Sequence, residues 1–177
     1  MDYKNLFNLM HPGFFDMPRI KEMPEDRVFA ELILELKKES PLKIQADIPS
    51  NISFGIYQGN HDKLLAAVES VDKDWCEFFT EDRRAFCAFD GDKIAAFCLM
   101  EDWGLNQGLR IGGPGCVGTV PEYRKQGIGL EMVRLATELV QKEGFDISWI
   151  HYTHLEKWYS RLGYHTILKW NCKGFFS

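Results

Sequence analysis

The sequence predicts an α/β fold with a mixed sheet and one parallel strand–helix–strand crossover. Three observations predict it. Residues 117–121 read as a Gly-broken strand ending in a Pro turn, and from Ile128 the apolar positions Ile128, Met132, Leu135, Ala136 and Leu139 recur at helical spacing. Asp90-Gly91 stands between the apolar runs 85–89 and 94–100, which is a strong hairpin signal. After Gly144, placed where a helix C-cap is expected, a strand (147–152), a short helix (155–162, ending at Gly163) and a last strand (164–170) follow in turn.

Length and charge bound the classes of function. At 177 residues the chain is long enough to bury a sizeable core as one domain. A net charge of −5 gives no basic field that would argue for nucleic acid. No apolar run reaches the roughly 18 residues that a membrane helix needs, and the start, Met-Asp-Tyr-Lys-Asn, has no signal-peptide shape. The cysteines, Cys76, Cys87, Cys98, Cys116 and Cys172, are odd in number and widely spaced. They suggest neither a disulfide framework nor a zinc site, and Cys87, Cys98 and Cys116, in apolar strand-like runs, read as reduced core residues in a cytoplasmic protein.

Taken in order, residues 1–50 read as an N-terminal helical and extended elaboration packed on the core. Pro12, Gly13 and Pro18 break it early. Pro24, followed by Glu25 and Asp26, suits a helix start, and Val28, Leu32 and Leu36 continue as a helical stripe to Lys37-Lys38. Pro41 and Pro49 frame an extended connection. Residues 51–177 form the second unit. Ile52, Phe54 and Ile56 alternate as a strand. Leu64, Leu65, Val68 and Val71 make a helical face, and Trp75, Phe78 and Phe79 continue it or form a second short helix. After the hairpin, Glu101 to Gly104 is expected to leave the sheet. Leu109-Arg110-Ile111 restarts it, and Gly112-Gly113-Pro114-Gly115 interrupts it before Cys116-Val117. Glycines within a strand suggest a bulge or a close approach by another group.

The loop between the crossover strand and its helix is where chemistry concentrates. Arg124-Lys125-Gln126-Gly127-Ile128-Gly129 lies over the first turn of a helix whose N–H groups have no internal partners. The helix dipole and two basic side chains add positive charge, and Gly127 and Gly129 present no Cβ to hold an anion away. Together they describe a phosphate or pyrophosphate pocket. A P-loop is excluded, because no Gly-Lys-Ser/Thr ending is present. A dinucleotide fingerprint would need one more glycine and a chain that opens on this strand.

Arg-x-x-Gly-x-Gly after a strand and Val-Pro-Glu-Tyr resembles the acetyl-CoA-binding motif of the GNAT superfamily of N-acetyltransferases. Trp158-Tyr159-Ser160-Arg161-Leu162-Gly163-Tyr164 resembles that family's aromatic-Tyr-x-x-Leu-Gly-aromatic segment. The resemblance covers about residues 51–170. It implies a mixed, mostly antiparallel central sheet flanked by helices, and acetyl-CoA as co-substrate with no metal. It implies that Val117, Gly118 and Thr119 pair with the pantetheine arm, and that Arg124, Lys125, Gln126, Gly127, Ile128, Gly129 and Leu130 hold the cofactor. It further implies that Tyr159 protonates the departing thiolate. Tyr152 and Thr153 stand where the family often has an asparagine.

An alkyl amine acceptor must lose a proton, at a cost of roughly 4–5 kcal/mol at neutral pH. Candidate bases at the expected strand ends are Glu101, Asp102, His151 and His154. The expected function is an N-acetyltransferase moving an acetyl group from acetyl-CoA to a primary amine in a ternary complex. The alternative is a non-catalytic acyl-CoA sensor or interaction module on the same fold. Expected partners are a small-molecule or peptide amine, neither nucleic acid nor membrane, and a second copy that could pair on the apolar edge at Phe175-Phe176.

Overall fold

The computed structural model describes residues 1–176. In chain order its elements are α1 (Tyr3–Met10), a 3-10 turn (Phe14–Asp16), α2 (Pro18–Lys21), β1 (Phe29–Glu35), β2 (Ile52–Ile56), α3 (His61–Glu69) and a 3-10 helix (Lys73–Phe78). There follow β3 (Ala85–Asp90), β4 (Lys93–Asn106), β5 (Leu109–Thr119), a 3-10 turn (Pro121–Tyr123), α4 (Ile128–Lys142), β6 (Ile147–Thr153), α5 (Glu156–Tyr159), β7 (His165–Asn171) and β8 (Gly174–Phe175). The strands form one eight-stranded sheet in the order β2-β3-β4-β5-β6-β1-β7-β8. Only β5 and β6 run parallel, joined through α4; the other neighbours are antiparallel. The expected mixed, mostly antiparallel sheet flanked by helices is what the chain forms.

Both faces are covered. α4 and α5 pack on one face, over a core that includes Leu32, Leu34, Cys98, Met132, Ile150 and Tyr164. On the opposite face, α1 and its neighbours cover Ile33, Trp149 and Trp170. Farther along that same side, α3 covers Cys87, Phe97 and Leu99. Cys87 and Cys98 are buried as expected, whereas Cys116 is only partly buried; all five cysteines are free.

Three local expectations are corrected. The helical stripe from Val28 to Leu36 is β1, a strand between β6 and β7. Phe29-Ala30-Glu31-Leu32-Ile33-Leu34 is a nearly unbroken apolar run. A strand buried on both faces reads as such a run, and its every-fourth-residue spacing is incidental. Pro24 closes a turn, accepting from the Arg27 N–H at 3.1 Å, and starts no helix. Second, Glu101 to Gly104 stays in β4, which runs on to a tight hairpin at Gln107 (φ 52°) and Gly108 (φ 78°). Left-handed values at both turn residues match the right-handed twist of the strands. Third, Gly112 to Gly115 interrupts nothing: β5 is continuous through it. A Cβ at Gly112 would lie 2.3 Å from the Glu101 carbonyl oxygen, so the glycine lets β5 press against β4.

Candidate active site

The site begins where two parallel strands part. β5 and β6 pair at Ile111↔Ile147 and Gly112↔Ser148, and their ladder ends there. On its other side β5 stays on β4, but with a slip: Phe97 pairs with Gly118 and Leu99 with Gly115, leaving one extra residue in β5. That residue region holds Cys116 at φ 46°, a left-handed value unusual for a side-chain-bearing residue. Such a bulge bends the strand away from its neighbour. The expected bulge is therefore present, but at a cysteine. Gly118 has a different reason, since a Cβ there would meet the Phe97 ring at 2.3 Å.

The diverging end of β5 opens into a cleft of about 680 Å³. Val117, Gly118 and Thr119 form one wall, Arg124 to Leu130 the floor, and Trp158, Tyr159 and Arg161 the opposite side. Every residue that the motif assigned to the cofactor thus lines one space. α4 starts at Ile128 with Gly127 as its N-cap (φ 78°), and no side chain caps it. The first intrahelical bond runs from the Glu131 N–H to the Gly127 carbonyl at 3.0 Å, so the N–H groups of residues 128–130 are left for another acceptor. Lys125 is also left-handed (φ 63°), which turns the loop tightly before the helix. The Arg124 Nε–H donates to the Thr119 carbonyl at 3.0 Å and ties the loop to the strand. A Cβ at Gly129 would lie 2.3 Å from Thr119 Oγ1, and one at Gly127 2.7 Å from Ala46 Cβ. The loop is therefore packed so closely that only glycine fits both places.

Sequence reasoning missed part of this cleft. Ala46 and Asp47, from the connection that crosses the surface before β2, also line it, as do Trp158 and Arg161. Arg161 lay within the quoted motif and adds a third cation beside Arg124 and Lys125. The contact of residues 46–47 with a loop some eighty positions later left no local signal.

Tyr159 belongs to the α4 face, is 5% exposed, and packs its ring edge-on against Trp158 at 4.8 Å. Burial pushes its phenol well above the usual tyrosine range, and Tyr164, Cys98 and Cys116 add to that. Burial likewise pushes the Cys116 thiol up to about 12. The phenol therefore holds its proton at neutral pH, in a dry wall of the cleft.

The candidate bases fall elsewhere. Glu101 and His151 lie on the face that carries α1 and α3. Glu101 is three-quarters or more buried, contacts Gly115 across the ladder, and forms an ion pair with Arg83. Burial raises its carboxyl pKa, opposed by Arg83 and His151. Asp102 is exposed and paired with Arg110 at 2.9 Å. The Asp102 carboxyl is held below its usual range; burial opposes that shift, while the Arg110 bond and the Gly104 N–H produce it. His151 sits inside β6, two residues past Trp149, and stacks on His11 with ring centroids 4.1 Å apart. His154, by contrast, is exposed beyond the end of β6. The structure thus gathers Glu101 and His151 and leaves Asp102 and His154 outside.

A split parallel strand pair, an uncapped helix start with a basic glycine loop, and a buried phenol beside them meet in one cleft of an α/β domain. Residues 81–166, just under half of the chain, match the family model described as acetyltransferase (GNAT) domain. No curated protein sequence matches the chain. Among solved structures, it is similar to the GCN5-related glucosamine N-acetyltransferase region of a fungal multi-domain GH3 β-N-acetylglucosaminidase. That match has 22% identity and a TM-score of 0.66, covering 82% of this chain and 20% of that one. A GCN5-related N-acetyltransferase from Kribbella flavida is 20% identical with a TM-score of 0.59, covering 88% and 60% of the two chains. One from Sphaerobacter thermophilus is 17% identical with a TM-score of 0.58, covering 82% and 50%. These likenesses establish the fold, and the chain spans only a fifth to three fifths of those proteins. Among the described residues no cluster of His, Cys, Asp or Glu is arranged to hold a metal, and no helix is long and apolar enough to cross a membrane.

Proposed function

We propose that this chain is an acetyl-CoA-dependent N-acetyltransferase that moves an acetyl group to a primary amine by direct transfer in a ternary complex. One observation carries the reading: the cleft runs unbroken from the uncapped start of α4 to the bulge where β5 leaves β6. The residues fit the cofactor. The free N–H groups at 128–130, with Arg124, Lys125 and Arg161 around them, suit its pyrophosphate. The unpaired edge of Val117 to Thr119 suits its amide-bearing arm. Gly127 and Gly129 let the loop pack directly on Ala46 and Thr119, which sets the backbone of the helix start beside the strand.

Bound there, acetyl-CoA supplies an acyl group activated as a thioester. The chain's own contributions are position and proton handling. Backbone N–H groups at the bulge can polarise a carbonyl oxygen. Tyr159 keeps a proton ready for a departing sulfur. Its raised pKa makes it a weak acid that keeps its proton until a strongly basic sulfur departs beside it. The acceptor amine enters from the opposite face, where Glu101 and His151 lie. An amino sugar, a polyamine and a peptide N-terminus are all primary amines of the right chemistry, and the acidic net charge favours a cationic acceptor.

The test has two arms. Calorimetry should show CoA and acetyl-CoA binding. A thiol-release assay with glucosamine, spermidine and an alanyl peptide should show acetyl-CoA consumed only when an amine is added. Wild-type protein indifferent to millimolar CoA would refute the reading, and binding without turnover on any amine would reduce it to an acyl-CoA sensor.

A further inference from the structure

β1 carries one carboxylate in the middle of an apolar run. Glu31 has no exposed surface and accepts hydrogen bonds from four groups. The Trp149 indole N–H donates to it at 2.6 Å, the Trp170 indole N–H at 2.7 Å, and the Tyr152 backbone N–H at 3.1 Å. The fourth partner is His151 Nδ1, at 3.0 Å from Oε2 and 3.1 Å from Oε1. Indole and peptide nitrogens can only donate. Three converging donors suit Glu31 as a carboxylate, and a carboxylate can only accept, so the fourth bond is then N–H to oxygen as well. That fixes the tautomer of His151: hydrogen on Nδ1, lone pair on Nε2.

His151 is also placed at the split. A Cβ at Gly113 would lie 2.7 Å from the Trp149 carbonyl oxygen, so β5 and β6 still touch there. Two residues farther on stands His151, with 22% of its side chain exposed. The groups facing it are Glu31 from β1, Glu101 from β4 with Arg83 behind it, and His11 from the end of α1. Phe7 and Phe14 complete its surroundings, with ring centroids 5.6 and 5.2 Å away. An imidazolium formed here would sit between two carboxylates with a flat neutral ring against its face. Of the other candidates, Glu101 is engaged by Arg83, Asp102 by Arg110, and His154 is exposed past the end of β6 with no carboxylate among the described residues bonded to it.

We propose that His151 Nε2 is the general base of this domain, and that Glu31 is the positioning residue that holds its tautomer and stabilises its charged form. The proposal rests on the acetyltransferase reading above. In the step, the amine nitrogen forms a bond to the acyl carbon and the carbon–sulfur bond breaks. His151 Nε2 takes the proton the nitrogen loses, and the Tyr159 hydroxyl gives one to the sulfur. Exchange with solvent resets both side chains, so amine and thioester give amide and thiol with no net proton change. Tyr159 lies on the α4 face of the sheet and His151 on the face that carries α1, one to either side of the point where the β5–β6 ladder ends.

Long-range ¹H–¹⁵N spectra of the full chain, labelled at histidine, read the tautomer without any turnover. At pH 7–8 the wild type should show His151 protonated at Nδ1 and bare at Nε2, and Glu31→Gln should lose that preference. In the thiol-release assay with the three amines named above, His151→Gln and Glu31→Gln should each lower kcat by about 10²–10⁴-fold. Acetyl-CoA binding by calorimetry should be unchanged in both variants. If Glu31→Gln does not fold, the wild-type spectrum and His151→Gln carry the test. A wild-type spectrum with the proton on Nε2, or His151→Gln acetylating these amines at close to the wild-type rate, would overturn the assignment while leaving the acetyltransferase reading intact. Failure of the wild type to bind acetyl-CoA would bring down both.

Discussion

His11 offers a prediction that needs no knowledge of the substrate. Its ring lies between His151, Phe7, Phe14 and Trp103, and its Nε2 is buried without a hydrogen-bond partner. Burial lowers its pKa from 6.5 to about 3, and the neighbouring His151 adds to the shift. The folded chain thus keeps His11 neutral where the unfolded chain would protonate it. The unfolded state then binds more protons, so stability falls as pH falls below 6.5, and the loss continues until the folded value near 3 is reached. Each pH unit inside that window costs about 1.4 kcal/mol, so passing from pH 7.5 to pH 5.0 should remove about 2 kcal/mol through this one group. His11→Phe removes the titration and the unpartnered nitrogen, and the new ring joins an aromatic cluster. Urea unfolding at the two pH values, followed by tryptophan fluorescence, gives the difference directly. The variant should lose about 2 kcal/mol less than the wild type on acidification, with little change or a gain at pH 7.5. Equal losses for both proteins would mean that His11 titrates normally, and the packed arrangement around it would be refuted.

Other expectations concern the cleft. Gly127→Glu and Gly129→Glu put bulk and negative charge where a Cβ already has no room, so the thermal stabilisation given to the wild type by CoA should vanish in both; a retained shift would place the cofactor elsewhere. Tyr159→Phe removes one oxygen and almost no volume, so folding and CoA affinity should hold while kcat falls by about 10²–10⁴-fold. Wild-type turnover in that variant would make Tyr159 a packing residue.

The sequence displayed what is local and hid what is not. The 124–129 loop, α4 and the Asp90-Gly91 hairpin each follow from residues within a few positions of one another, and each was expected where it stands. β1 was misread because nothing within its own stretch says that β6 and β7 will flank it. Its buried environment, which makes a continuous apolar run strand-like, is supplied by residues more than a hundred positions away. The same distance hid Glu31. A single charge inside Phe-Ala-Glu-Leu-Ile-Leu was the available sign, since a carboxylate on a strand buried on both faces must have partners. The Cys116 bulge gave no sign at all, because left-handed backbone is expected at glycine and three glycines stand close by.

The Glu31 network also holds the sheet, which sets the last prediction. β1 enters between β6 and β7, and Glu31 bonds to residues of both: Trp149, His151 and Tyr152 on one side, Trp170 on the other. Leucine would match the apolar residues around position 31 and suit a buried strand. It would nevertheless strand two indole N–H groups, one peptide N–H and one imidazole N–H where water does not reach. Each buried donor left unsatisfied costs about 1–3 kcal/mol. Four of them together rival the whole stability of a typical domain, about 5–15 kcal/mol. Some relaxation lowers the sum, because the His151 ring can turn toward its exposed edge. Differential scanning calorimetry of Glu31→Leu should therefore show a melting temperature lowered by more than about 10 °C, or no cooperative transition. A variant melting within a few degrees of the wild type would mean that hydrophobic contacts alone seat β1. The carboxylate would then have no structural reason to lie where it does, and its bond to His151 would be its remaining purpose.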